Sequence, residues 1–176
     1  MNHRSVILNK DVDTDIVEMV ILPLLEFEKD DKEEPVKLIL STPGGSVSDG
    51  LILCNIIDNY KKPLEIYVYG YACSMGTIIL CAGNKNPNVT KYCYPFSFGL
   101  FHAGYSAIEG EALSVEDRME FNKKVDNSIR DYVVANTNIT AEEYKNNERR
   151  QWYLSAEEMK RLGLIDIIIN GDENNA

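Results

Sequence analysis

Histidine is nearly missing from this chain: only His3 and His102 occur among 176 residues. With so few imidazoles, cysteines would have to complete any zinc site. Cys54, Cys73, Cys81 and Cys93 show no paired ligand spacing, so no metal or other cofactor is expected. All four lie in apolar stretches, which predicts buried, reduced thiols and a cytoplasmic location. Positive charge is also short. The 18 Lys and Arg face 28 Asp and Glu, for a formal net charge of −10. A nucleic-acid groove needs clustered cations, so that partner is excluded. No apolar run reaches membrane-spanning length, and the N-terminus lacks the apolar core of a signal peptide, so no membrane is expected either. Internal repeats, low-complexity blocks and linkers are absent, and residues 1–176 are expected to form a single domain.

What is present is a hydrophobic content of 44% distributed in short, alternating or helically spaced runs. Ser5 to Leu8 and Val36 to Leu40 read as strands. Between them, Ile16, Val17, Val20, Ile21, Leu24 and Leu25 recur at helical spacing, with Pro23 predicting a kink or a shortened helix. Val36 to Leu40 runs into the glycine turn Ser41-Thr42-Pro43-Gly44-Gly45-Ser46. A helix carrying Leu51, Ile52, Ile56 and Ile57 follows, ending near Asn59. Leu64 to Tyr69 then reads as a buried strand, Gly70 to Gly76 as a turn, and Thr77 to Ala82 as a buried helix. This order of strand, turn and helix implies parallel βαβ units of an α/β fold, with both glycine-bearing turns at the same end of the sheet.

Beyond a polar loop at Asn84 to Asn88, Lys91 to Tyr94 and Ser97 to Phe101 are strand candidates, the second ending at His102. Ser114 with Asp117 resembles a helix start. The helix is expected to reach Ala135, with Met119, Val125, Ile129, Tyr132 and Val133 available for burial. Thr140 with Glu143 and Ser155 with Glu158 repeat the capping-box pattern. The last helix stops at Gly163, and Leu164 to Ile169 forms a final strand before a frayed tail at Asn170 to Ala176.

The chemistry concentrates in three places. Ser74 lies at a strand-to-helix turn, between small Ala72 and Gly76; such a serine is either a helix cap or a nucleophile lifted clear of the sheet. Cys73 beside it is a rival nucleophile, disfavoured because adjacent residues point different ways. His102 closes an apolar strand and is either structural or a base. Gly44-Gly45 is either a plain turn or a source of backbone N–H donors, and no phosphate-binding lysine follows it. Nucleophile, base and oxyanion donors together are the set that acyl transfer requires.

At these residues the sequence resembles the proteolytic subunit of the Clp protease, or a divergent, phage-encoded relative. The matching pieces are Ser41-Thr42-Pro43-Gly44-Gly45-Ser46-Val47 with Gly50, then Ala72-Cys73-Ser74-Met75-Gly76, then Phe101-His102. A fourth is Leu154-Ser155-Ala156-Glu157-Glu158 with Gly163-Leu164-Ile165-Asp166. The resemblance implies a crotonase-like, ClpP-type fold of repeated ββα units with a long handle helix, here Ser114 to Ala135, through which heptameric rings stack into a tetradecamer. It implies a serine-type endopeptidase with Ser74 as nucleophile and His102 as general base. The N–H groups of Gly45 and Met75 form the oxyanion hole. The strand after Gly45 and the loop after His102 bind unfolded peptide or protein substrates in extended form. An AAA+ Clp unfoldase, or a host Clp proteolytic subunit, is the implied protein partner.

Four departures qualify that reading. Gln151 stands at the family's catalytic aspartate position; a neutral amide holds an imidazole without stabilising its charge, so weakened catalysis is expected, or help from Glu148 or another carboxylate. Arg149 replaces an acidic residue of the ring-stacking network. The family's N-terminal gating segment has no counterpart ahead of the first core strand at Arg4 to Leu8, which weakens the expected link to an unfoldase. Ala103-Gly104-Tyr105 stands where a proline often follows the histidine. The alternative function is therefore a catalytically weak or inactive ring subunit with a structural or modulatory role. An acyl-CoA enzyme of the crotonase fold is disfavoured by the short chain and the lack of an acid pair.

Overall fold

The structure is a computed structural model that describes residues 4–104 and 111–170. Its centre is a seven-stranded sheet. Strand β1 (Ser5–Leu8), β2 (Val36–Thr42), β3 (Leu64–Cys73), β4 (Val89–Cys93) and β7 (Ile167–Ile168) lie side by side in that order, all parallel. Strand β5 (Phe98–Phe101) pairs parallel with the far end of β3, and β6 (Trp152–Ser155) runs antiparallel to β5. The parallel core follows from the helical crossovers between successive strands. In β2, alternate residues Val36, Leu38, Leu40 and Thr42 are buried, giving the period of two that the sequence displays.

The helices are α1 (Leu22–Lys29), α2 (Val47–Asp58), α3 (Met75–Cys81), α4 (Ala112–Asn136), α5 (Ala141–Asn147) and α6 (Ala156–Arg161). Leu24, Leu53, Ile57, Ile79 and Val133 bring α1 to α4 onto one continuous core with Leu38, Leu64 and Ile66 of the sheet. Each such aliphatic side chain contributes roughly 1.5–3 kcal/mol by burial. The α-helix is shortened at Pro23 as expected: α1 begins only at Leu22, with Pro23 in its first turn, directly after a separate π-helical turn at Val17–Ile21. No helix among the described residues is long and apolar enough to cross a membrane.

Two expectations need correction. Helix α4 starts at Ala112 with Glu111 as its cap, so Ser114 lies inside the helix rather than at its entrance. Of the α4 residues assigned to the core, Ile129 and Val133 are buried and Val125 and Tyr132 pack against them, but Met119 is 48% exposed. The last strand is also shorter than its apolar run. Gly163 adopts φ 77°, its N–H donates to Lys160 O (3.0 Å), and the Leu164 N–H donates to Met159 O (2.8 Å). This Schellman closure of α6 uses the first half of the run, leaving Ile167–Ile168 for the sheet. The tail from residue 171 onward lies outside the described residues.

Polar groups inside the core are paired. Lys91 is buried with its ammonium against Leu80 O (2.7 Å), Ala82 O (3.2 Å) and the Asn84 side chain, closing the C-terminal end of α3. Burial pulls its pKa down to about 8. Asp58 accepts from the Tyr132 hydroxyl (2.7 Å) and from the Gly83 N–H (2.6 Å), fastening α4 to the end of α2.

Candidate active site

Strand β3 is longer than its neighbours and changes partner along its length. Leu64 to Val68 pair with β4, while Tyr71 to Cys73 pair with β5, with Cys73 opposite Leu100. The end of β3 and the end of β5 therefore emerge together. Ser74 follows the first and His102 the second.

Ser74 has φ 54° and ψ −120°, the only non-glycine residue among those described with a positive φ. Such a conformation costs on the order of 1–3 kcal/mol and persists only where its surroundings impose it. Here they do. The Ser74 N–H donates to Leu100 O (2.7 Å), and its carbonyl accepts from the N–H of Thr77 (2.9 Å) and Ile78 (3.3 Å). The buried Thr77 hydroxyl reaches both Ala72 O and Leu100 O at 2.7 Å and accepts from the Leu100 N–H (3.2 Å), tying α3 to both strands. The Ser74 side chain makes no capping bond to α3, which removes the reading of this serine as a simple helix cap. Met75 and Gly76 begin α3, so their N–H groups have no intrahelical acceptor.

The second glycine turn meets this elbow. A Cβ on Gly44 would lie 2.5 Å from Cys73 O, 2.7 Å from Ser74 Cβ and 2.8 Å from Met75 N, at a φ of 96°. Only glycine permits that approach. Gly45 (φ 145°) bridges to Val12: the Val12 N–H donates to Gly44 O (2.8 Å) and the Ser46 N–H to Val12 O (2.7 Å). The Gly45 N–H is not used by that bridge. The two turns thus face one another as their position in the sheet requires.

Ser74, Met75 and His102 line one cavity of about 510 Å³. Gly45 and Gln151 do not line it. Gln151 immediately precedes β6, and its amide oxygen accepts from the Tyr153 hydroxyl at 3.0 Å on the exposed surface. Extending the β5–β6 register past Phe101↔Trp152 would set Gln151 opposite His102, but its side chain is committed elsewhere. Cys73 is buried, burial pushes its thiol up, and it is absent from the lining, so it is no rival to Ser74. The segment from Tyr105 to Gly110, expected to continue the substrate wall, lies outside the described residues.

The remaining lining was not anticipated as a group. Lys123, Asp126 and Arg130 come from α4, and Tyr144, Glu148 and Arg149 from α5 and the turn after it. Nothing in their local pattern distinguishes them from a solvated helix face. The packing of Phe101 against Tyr144 (ring centroids 6.0 Å apart, 73° between planes) seats α5 at the end of β5.

The model of the Clp protease family matches residues 1–172. Proteins described as ATP-dependent Clp protease proteolytic subunit from two strains of Dehalococcoides mccartyi are 27% identical over 99% of this chain and 86% of their own length. The protein of that description from a third strain is 26% identical over the same shares. The mixed α/β sheet is consistent with the ClpP-type fold of that family. A match across nearly every residue, joined to a sheet whose third and fifth strands end together, identifies this chain as a member of the Clp protease family.

Proposed function

We propose that the chain is a serine-type endopeptidase that hydrolyses unfolded peptides and proteins through Ser74 and His102. The observation that carries the reading is the Ser74 elbow: a strained serine whose hydroxyl caps nothing, lining one cavity with the only described histidine. The Ser74 hydroxyl oxygen bonds to the scissile carbonyl carbon while its proton passes to His102. The N–H groups of Gly45 and Met75 hold the resulting oxyanion. The tetrahedral species breaks the C–N bond, and His102 returns the proton to the leaving amine. Water then attacks the acyl-enzyme, gives a proton to His102, and releases the carboxyl product as Ser74 recovers its own.

Hydrolysis of a short fluorogenic peptide tests this. Ser74→Ala is expected to lower turnover by about 10⁴-fold or more. Equal rates for wild type and Ser74→Ala would overturn it.

The working unit in this reading is a cytoplasmic homo-oligomeric ring, heptameric or stacked as a tetradecamer, built from a single domain spanning residues 1–176 and served by a Clp-type ATPase as its relatives' description suggests. Exposed Leu113, Met119 and Phe121 on α4, and Tyr69, Phe96 and Tyr153 on the sheet side, support assembly, because a lone subunit would leave them in water. A monomer by light scattering at micromolar concentration would contradict it. A second reading, a catalytically weak ring subunit that modulates an active partner, is favoured by one observation: the side chain at 151 is a neutral amide turned toward Tyr153. Mixed rings with an active Clp subunit in native mass spectrometry, together with an unmeasurable peptidase rate, would select it.

A further inference from the structure

A serine–histidine pair needs a third group that holds the imidazole with one nitrogen toward the serine and stabilises the ring once it is protonated. Residue 151 does not provide a charge. We infer that Glu148 provides it, as the positioning carboxylate for His102; the inference rests on the Ser74–His102 reading above.

Three observations converge on Glu148. First, it lines the same cavity as Ser74 and His102, whereas Gln151 is exposed and bonded to Tyr153. Second, its placement follows from packing. The Glu148 N–H donates to Tyr144 O (2.8 Å), so the two residues stand one turn apart on the same face of the α5 end. Tyr144 meets Phe101 edge-on, and the residue after Phe101 is His102. The contact that seats α5 against β5 therefore carries Glu148 to the end of the strand bearing the imidazole. Third, Glu148 is half-buried and makes no salt bridge among the described residues, so its charge is not committed to another cation. The Tyr144 hydroxyl registers that charge. Its pKa is pushed up to about 12, by burial first and then by Cys81, Glu148 and Asp126, with Arg130 opposing.

Other charged groups face the cavity. Asp126 is the rival carboxylate, but it is exposed on α4, where water screens it. Arg130 is held by Asp131 and Asn127. Lys123 and Arg149 are exposed cations. In the assigned arrangement, one ring N–H of His102 donates to the Glu148 carboxylate, and the other nitrogen takes and returns the Ser74 proton. Glu148 exchanges no proton in this arrangement.

The test uses the full chain in its native assembly and a fluorogenic peptide, with kcat and KM measured from pH 5 to 9. Glu148→Gln is expected to lower kcat at least about 10-fold with KM little changed, within the roughly 10²–10⁴-fold that acid–base assistance supplies. Glu148→Asp should restore part of the rate, while Gln151→Ala stays within about 2-fold of wild type. An unchanged rate for Glu148→Gln, no recovery in Glu148→Asp, or an equal loss for Gln151→Ala overturns the assignment while leaving the Ser74 reading intact. Loss of the Ser74→Ala effect overturns both.

Discussion

Ser74 and Ser155 occupy the same formal place, each following a strand and opening a helix, yet the structure uses them in opposite ways. Ser155 has φ −65° and ψ 168°, and its hydroxyl accepts from the Glu158 N–H while the Glu158 carboxylate accepts from the Ser155 N–H. Both side chains of that junction are spent on closing the helix entrance. Ser74 has φ 54°, no cap bond, and helix N–H groups that nothing in α3 uses. The difference teaches that a helix entrance leaves its serine hydroxyl uncommitted to the helix when the backbone, rather than the side chain, carries the burden of the turn. The strained serine keeps its hydroxyl free because Leu100, Thr77 and Gly44 fix the backbone from outside.

That contrast can be broken from the outside first. Gly44→Ala places a Cβ 2.5 Å from Cys73 O and 2.7 Å from Ser74 Cβ at a φ that alanine resists. We expect a loss of about 3 kcal/mol in urea-induced unfolding, together with loss of peptide hydrolysis as the elbow shifts. A smaller effect follows from Thr77→Val, which keeps shape but removes the hydroxyl shared by Ala72 O, Leu100 O and the Leu100 N–H. About 2 kcal/mol should be lost in the same measurement, with reduced kcat. The smallest effect belongs to Ser155→Ala, which should cost about 1 kcal/mol and leave kcat unchanged. A fall in kcat for Ser155→Ala without loss of stability would erase the distinction between the two junctions.

Much of the fold was legible because burial in this protein has a clean period. Val36, Leu38 and Leu40 alternate, so β2 could be read directly; α2 was placed correctly and Ile57 is buried as expected, but Ile52 is 45% exposed and the buried face runs through Leu53 and Cys54 instead. Both halves of the candidate site were legible for a related reason: Ser74 and His102 each terminate an apolar run, and parallel topology sends such termini to one edge. Where reading failed, a competing interaction won. The apolar run from Leu164 to Ile169 looked like strand throughout, but Leu164 closes α6. Ser114 has a cap's sequence pattern, yet Glu111 already opens the helix. Glu148 came into view only as one possible stand-in, since what brings it to the cavity is the Phe101–Tyr144 contact, 43 positions apart in the chain and invisible to any local pattern.

The partner exchange along β3 sets how far apart the two halves of the site can be. Three residue pairs, Tyr71–Phe98, Ala72–Gly99 and Cys73–Leu100, set the register of the serine's strand against the imidazole's. Their alignment works as a caliper: its jaws are peptide units, and its gap is the spacing of about 4.8 Å between paired strands. Side-chain exchange on either face can then vary widely while the opening stays constant. Adding or deleting one residue between Phe98 and His102, by contrast, would turn the imidazole to the opposite side of the sheet at a stroke.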